Sequence, residues 1–337
     1  ADCNLKVAEV NELARAMAAG GALTEVNVAF NQIGSDGGIA LRDALQTSNL
    51  KFLAIGKMYT SVDGTVITGS QLTTGVTLYV GGRSGEFLKF HEDDRSYAKL
   101  KWADDGKESD WMKLNSLDGE PLKLPLQSPF EGDHLDLAHQ QLDPGHIVIL
   151  AWWLTTEFSA AVARLSLSGN MVTSSSLTRR GSEYDKDPSG LILLCDALPA
   201  LKNPIDLDLS NCGLSVNGVN PVIHAIQAGG VRAIGLAGCQ LEPPVVAQVL
   251  SVASEVSRSR LRVAQVLAFC CALHDRMGAD SAICDMVDKG VVDIWQIVAS
   301  IVHARHGHEG LCSALACRNP WYEVCVRGLV PEGVPHS

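Results

Sequence analysis

The chain has 337 residues, 46% hydrophobic and 19% charged, enough apolar material for a large core and, on length alone, for two or three domains. Glycine (31) and proline (13) are too ordinary for a collagen-like or low-complexity chain, and 5% aromatic content leaves a core of Leu, Val, Ile and Ala. A formal charge of −11, from 38 acids and 27 bases, repels a phosphate backbone, so no nucleic-acid partner is expected.

No apolar run reaches the roughly 18 residues of a membrane span. The opening Ala1-Asp2-Cys3 lacks the layout of a signal peptide, although a start without Met leaves a removed leader open. Ten cysteines are scattered, several inside apolar runs (Cys195, Cys270, Cys271), which suits reduced thiols in an intracellular compartment, cytoplasm or organelle interior.

In chain order, Cys3-x-Leu5 followed by Val7, Leu13 and Met17 reads as the tail of one strand-turn-helix unit. A fuller unit follows: Leu23-x-x-Val26-x-Val28-x-x-Asn31-x-Ile33, then Gly37, Gly38, Leu41 and Leu45. Its strand returns at Leu50-x-x-Leu53-x-Ile55 and at Leu135-x-Leu137-x-x-Gln140-x-Leu142. It returns again at Val162-x-x-Leu165-x-Leu167-x-x-Asn170-x-Val172, at Leu207-x-Leu209-x-x-Cys212-x-Leu214 and at Val231-x-x-Ile234-x-Leu236-x-x-Cys239-x-Leu241. The alternation predicts strands with one buried face, and Asn or Cys at the turn can hydrogen-bond the neighbouring backbone. Between strands, Gly145–Phe158 predicts a helix in which one of Trp152 and Trp153 faces a neighbour. Asp187-Pro188 predicts a helix start, and Asn203-Pro204 a turn into the next strand.

This pattern resembles the leucine-rich-repeat family, in the long ribonuclease-inhibitor-like class with one strand and one helix per unit. The resemblance implies an α/β solenoid whose units bury their leucines only against stacked neighbours. The outward strand positions are then Glu25, Asn27, Asp136, Arg164, Ser166, Asp206, Asp208 and Gly235, candidate contacts for a polar or basic protein partner.

Two insertions break the period. Between Leu53 and Leu135, short strands are predicted at Val76–Val80, Glu86–His91, Ala98–Trp102 and Trp111–Leu114. The run Tyr97–Gly106, with Gly82 and Gly85, resembles small SH3-like barrels of the Tudor, KOW or MIB/HERC2 kind over about residues 72–118. Tyr79, Phe87, Phe90, Tyr97, Trp102 and Trp111 supply it. Most belong to its core, and Trp102 and Trp111 are its candidate contact residues, since such aromatics can cage a cation. Eight bases against eleven acids over Met58–Leu126 again argue against nucleic acid. The second insertion, 173–187, is polar and reads as a mobile loop. Its Arg179-Arg180-Gly181-Ser182 resembles a basophilic kinase site, with Ser182 as acceptor.

The expected domains are repeats over 1–57, the barrel over 58–128, repeats over 129–250 and a helical cap over 251–337, where the pattern turns helical. Signatures for a nucleophile elbow, a phosphate loop, a dinucleotide fold and a zinc protease are absent. His303, His306, His308, Glu309, Cys312, Cys317 and Cys325 keep a metal-dependent enzyme open as an alternative, although their spacing fits no closed zinc module. The leading expectation is a non-catalytic binding scaffold without cofactor, a subunit or adaptor of a larger complex. A structural subunit built permanently into a large assembly is the other alternative.

Overall fold

The computed structural model describes residues 5, 7–19, 23–91, 94–178 and 181–257, and its architecture is mixed α/β. The first part runs α1 (Val7–Ala18), β1 (Glu25–Asn27), α2 (Gly34–Leu45) and β2 (Phe52–Thr60). The insertion carries β3 (Val66–Ile67), β4 (Thr77–Val80), β5 (Arg83–Phe90), β6 (Tyr97–Trp102), β7 (Met112–Lys113) and β8 (Gly119–Pro125). Then come β9 (His134–Asp136), α3 (Pro144–Leu154), β10 (Arg164–Ser166), β11 (Ser176–Thr178), β12 (Gly181–Glu183) and α4 (Ser189–Ala197). The described part ends with β13 (Ile205–Asp208), α5 (Val216–Gln227), β14 (Val231–Gly235) and α6 (Pro243–Ser257).

Strands β9, β10, β13 and β14 form a parallel sheet in which Leu135, Leu165, Leu207 and Ile234 are successive register partners. All four are buried, on the inward face that alternation along a strand gives to every second residue. At the far side of the molecule β1 pairs with β2 in parallel, Val26 opposite Leu53. A single strand array across the molecule is expected; instead its strands fall into two separate sheets, β1 and β2 in one and β9, β10, β13 and β14 in the other. The same stretch of β2 pairs antiparallel with β8, Leu53 opposite Leu124, so β8 lies on the edge of β2 away from β1. Pro121 and Pro125 deprive β8 of two N–H donors, which suits it to end a sheet.

Helices bridge what the strands do not. α1 packs on α2, α2 on α3, and so on in order to α6. One apolar core runs from Val10 to Val252 and takes in Val26, Leu53, Leu124, Leu135, Leu165, Leu207 and Ile234. α3 is buried on nearly every side, and of its two tryptophans Trp153 is the one sealed in, its Nε1–H donating to the Pro125 carbonyl at 2.8 Å.

The turn after each strand repeats a single device. Asn170 Oδ1 accepts from the N–H groups of Gln140 and Leu142, and its Nδ2 donates to the carbonyls of Leu137 and Leu167. The thiols of Cys212 and Cys239 donate to the carbonyls of Leu167 and Leu209 in the preceding unit. Asn31 accepts from Leu5 N–H, the residue matching Leu142, so Leu5 stands where the expected preceding turn belongs. The residue before each of these turn side chains is left-handed: Phe30 (φ 60°), His139 (57°), Gly169 (70°), Asn211 (56°) and Gly238 (70°). Two of the five need no β-carbon concession, and Asn tolerates the region, but Phe30 and His139 are held there by surrounding packing.

In the insertion, β4, β5, β6 and β7 make an open antiparallel meander, half a barrel where a closed one is expected. Strand β7 has two residues and, among the described residues, pairs only with β6, leaving the meander open. Its core of Leu78, Phe87, Ala98, Leu100, Leu114 and Leu117 is completed by Tyr59 and Ile67 from β2 and β3. The expected boundary at 57/58 falls inside β2, which runs unbroken into the insertion with β8 alongside. Residues 173–187, expected as a loop, hold the antiparallel hairpin β11–β12. Its base is tied down by Asp185, whose carboxylate accepts from the N–H groups of Ser215 and Gly218 at the start of α5 and from the Thr173 hydroxyl. The expected cap over 251–337 lies outside the described residues beyond the end of α6 at Ser257.

Candidate interaction surface

Because the strand leucines point inward, the opposite face of β9–β14 carries the polar residues, and these are paired across strands. Arg164 Nη2 lies 3.1 Å from Asp133, and Arg232 Nε 2.8 Å from Asp206. Arg164 and Asp206 are register neighbours, so the row reads Asp133, Arg164, Asp206, Arg232, with alternating sign. The hydrogen bond it donates to Asp206 raises the Arg232 guanidinium above its ordinary value. Ser166 Oγ stands 3.0 Å from His134 Nε2. On the first sheet Glu25 pairs with Lys123 at 2.7 Å, and that ammonium lies 5.8 Å from the centre of the Phe52 ring.

Three expected contact residues also have local work. The side chains of Asn27, Asp136 and Asp208 accept from the N–H two residues on, at Ala29, Ala138 and Ser210, closing the turn that ends each strand. Asp136 is buried rather than outward-facing (4% exposed), because the insertion folds down onto it. Gly235 is a gap the neighbour needs, since a β-carbon there would stand 2.5 Å from Asp208 Oδ1. Asp133, His134, Lys123 and Arg232 complete the pairs. Asp133 and Lys123 lay outside the repeat pattern as read, and Arg232 is displaced by the bulge between Ile205 and Asp206.

The seam between insertion and strands is built on one turn. Asp136 Oδ2 accepts from the N–H and hydroxyl of Ser70, and Gly69 sits so near that a β-carbon would stand 1.7 Å from the Ala138 carbonyl. His139 stacks on Phe90, ring centres 3.9 Å apart. The Gln140 amide takes the place of a neighbouring strand: Oε1 accepts from Lys57 N–H at 2.6 Å and Nε2 donates to the Lys57 carbonyl at 2.9 Å. Burial, with Arg95 nearby, drives the His139 imidazole down to about 3 despite Asp136, so it is neutral at pH 7.

The aromatic residues of the insertion do different jobs. Phe87 is in its core and Phe90 in the seam. Trp102 is covered by the Arg83 guanidinium, 4.1 Å from the ring centre and paired with Asp104 at 2.7 Å. Trp111 is exposed.

Ser182 lies in β12 opposite Leu177, while its side chain, Arg179 and Arg180 lie outside the described residues, as do His303 and the other His/Cys candidates. Among the described residues no His, Cys, Asp and Glu group has the spacing to hold a metal ion, and no helix is long and apolar enough to cross a membrane. Cys195, Cys212 and Cys239 are buried and unbridged, and burial lifts the Cys195 thiol to about 12. No protein-family model matches the chain, and no curated protein matches its sequence.

Proposed function

We propose that this chain is a non-catalytic scaffold of the leucine-rich-repeat type, a solenoid interrupted by an SH3-like module, which holds protein partners within a larger complex. The register of Leu135, Leu165, Leu207 and Ile234, with the same left-handed turn after each strand, is the observation that carries it. Stacked units of this kind gather outward residues into one broad face without a deep pocket, the surface a protein partner needs. The alternating row from Asp133 to Arg232 suits a polar partner with its own ordered charges, and it discriminates by charge register more than by affinity. Buried, protonated thiols fit a reducing compartment, cytoplasm or organelle interior.

The test is capture from native extract with the full chain as bait, beside a chain carrying Arg164→Glu and Arg232→Glu. Both arginines are partly exposed, and circular dichroism checks that the variant keeps the wild-type fold. Specific partners retained by the wild type and lost by the variant support the scaffold. A set of retained proteins that is the same for both would reject this face.

A further inference from the structure

The outer wall of the insertion contains an arrangement that internal stability does not explain. Lys89 of β5 and Lys99 of β6 are direct register partners, two like charges facing each other across an antiparallel pair. Such a pair weakens a sheet rather than strengthening it. Both ammonium groups converge on one ring: they lie 5.8 and 5.6 Å from the centre of Trp111, which is 38% exposed and touched edge-on by His91 at 4.7 Å. Among the described residues a single carboxylate pairs with them. Glu108 reaches Lys99 Nζ at 2.8 Å, and that hydrogen bond, with the charges of Lys99, Lys89 and Lys101, holds its carboxyl below the usual range. Lys101 has Glu86 as its register partner.

We infer that this wall is a docking site for an acidic protein segment that sets one apolar side chain against Trp111 and carboxylates against Lys89 and Lys99. Glu108 stands where one of those carboxylates goes. The inference rests on the scaffold reading but names a surface separate from the strand face. Charge complementarity selects the occupant: this is a local knot of cations on a chain of net charge −11. A nucleic acid wants a track of cations along its backbone, whereas these surround one ring and are flanked by Glu108 and Glu86. An exposed tryptophan rimmed by charge has the form of a binding hot spot, with the apolar anchor central and the ion pairs around it.

Fluorescence anisotropy with the full chain tests it, using a labelled peptide of about twelve residues, glutamate throughout except one central leucine, long enough to cross a sheet of this width. The matched glutamine peptide and an oligothymidylate are the comparisons. The glutamate peptide should bind, weaken as salt rises from about 50 to about 300 mM, and quench tryptophan fluorescence. Lys89→Glu, an exposed change, should weaken it by about tenfold or more. Glu108→Gln should tighten it several-fold, because the internal competitor is gone; a purely structural Glu108 would not do this. Equal binding of the glutamine peptide, full affinity in Lys89→Glu, or preference for the oligothymidylate would overturn the assignment. Capture that still depends on Arg164 and Arg232 while the peptide fails to bind would leave the scaffold standing without this site. Peptide binding with no capture would do the reverse.

Discussion

Gly38 of α2 and Gly145 of α3 touch backbone to backbone: a β-carbon on Gly38 would stand 2.4 Å from the Gly145 carbonyl oxygen, and one on Gly145 would stand 2.1 Å from that of Gly34. This contact carries the helix layer past the place where the strand layer divides. Asp143 reinforces it by capping α3 through His146 N–H while accepting from Gly34 N–H at 2.7 Å. Gly38→Ala must push two backbones apart, which no side-chain rotation relieves, so it should lower stability by about 2–3 kcal/mol in chemical denaturation. A loss below about 0.5 kcal/mol would mean that the helices are not held in this contact.

Asn170 and Cys212 occupy equivalent turns but should respond differently to removal. Asn170 satisfies four buried backbone groups, whereas the Cys212 thiol is a weak donor to the Leu167 carbonyl. Asn170→Ala should cost about 3–5 kcal/mol and Cys212→Ala about 1 kcal/mol, measured side by side in urea. Equal losses would refute a graded ladder.

Gln140→Leu tests the seam. It keeps the bulk and strips the Lys57 peptide group of both its partners, so a loss of about 2–4 kcal/mol is expected. Limited proteolysis should then cut between Thr60 and Gly119 faster than in the wild type. An unchanged cleavage pattern would show that the amide is dispensable there.

His139 predicts a pH dependence with a definite sign. Its folded value, about 3, lies below the ordinary 6.5, so between these limits the unfolded chain binds more protons. Stability from this group is complete above about pH 6.5 and falls as pH drops towards about 3, by at most about 1.4 kcal/mol per pH unit. Asp136 and Arg95 face the ring and modulate the slope. His139→Asn retains a residue that accepts left-handed backbone and removes the titration. The difference between the two denaturation profiles should shrink steadily on acidification, and parallel profiles would exclude the effect.

Native alkylation should spare Cys195, Cys212 and Cys239, because burial keeps all three from solvent and raises the thiols of Cys195 and Cys212, leaving almost no thiolate at pH 8. Peptide mapping before and after denaturation reads this directly. Rapid labelling of Cys212 in the folded chain would contradict its place beneath the turn.

The strands and turns were legible because their signals are local. Leu165 and Leu207 sit at recurring offsets from Asn170 and Cys212, and period-2 burial assigns their faces without any knowledge of neighbours. Asp136 shows where such reasoning stops. By period it points outward, like Asp208, yet Ser70 and Gly69, 66 and 67 positions upstream, cover it. Trp102 and Trp111 were equally indistinguishable by pattern, and only the approach of Arg83 to one and of two lysines to the other separates their roles.

From the sequence alone came the strand-and-turn pattern: which aliphatic residues turn inward and which side chains close each turn. That pattern rests on backbone geometry and side-chain alternation, properties that act over a few residues. Tertiary structure decided how the interruption is absorbed. β8 pairs with β2 and divides the strands, helices α2 and α3 close the gap through their glycines, and the insertion settles on Asp136 and His139. Those outcomes depend on which distant surfaces exclude water from each other, and that is a property of the assembled chain rather than of any stretch of it.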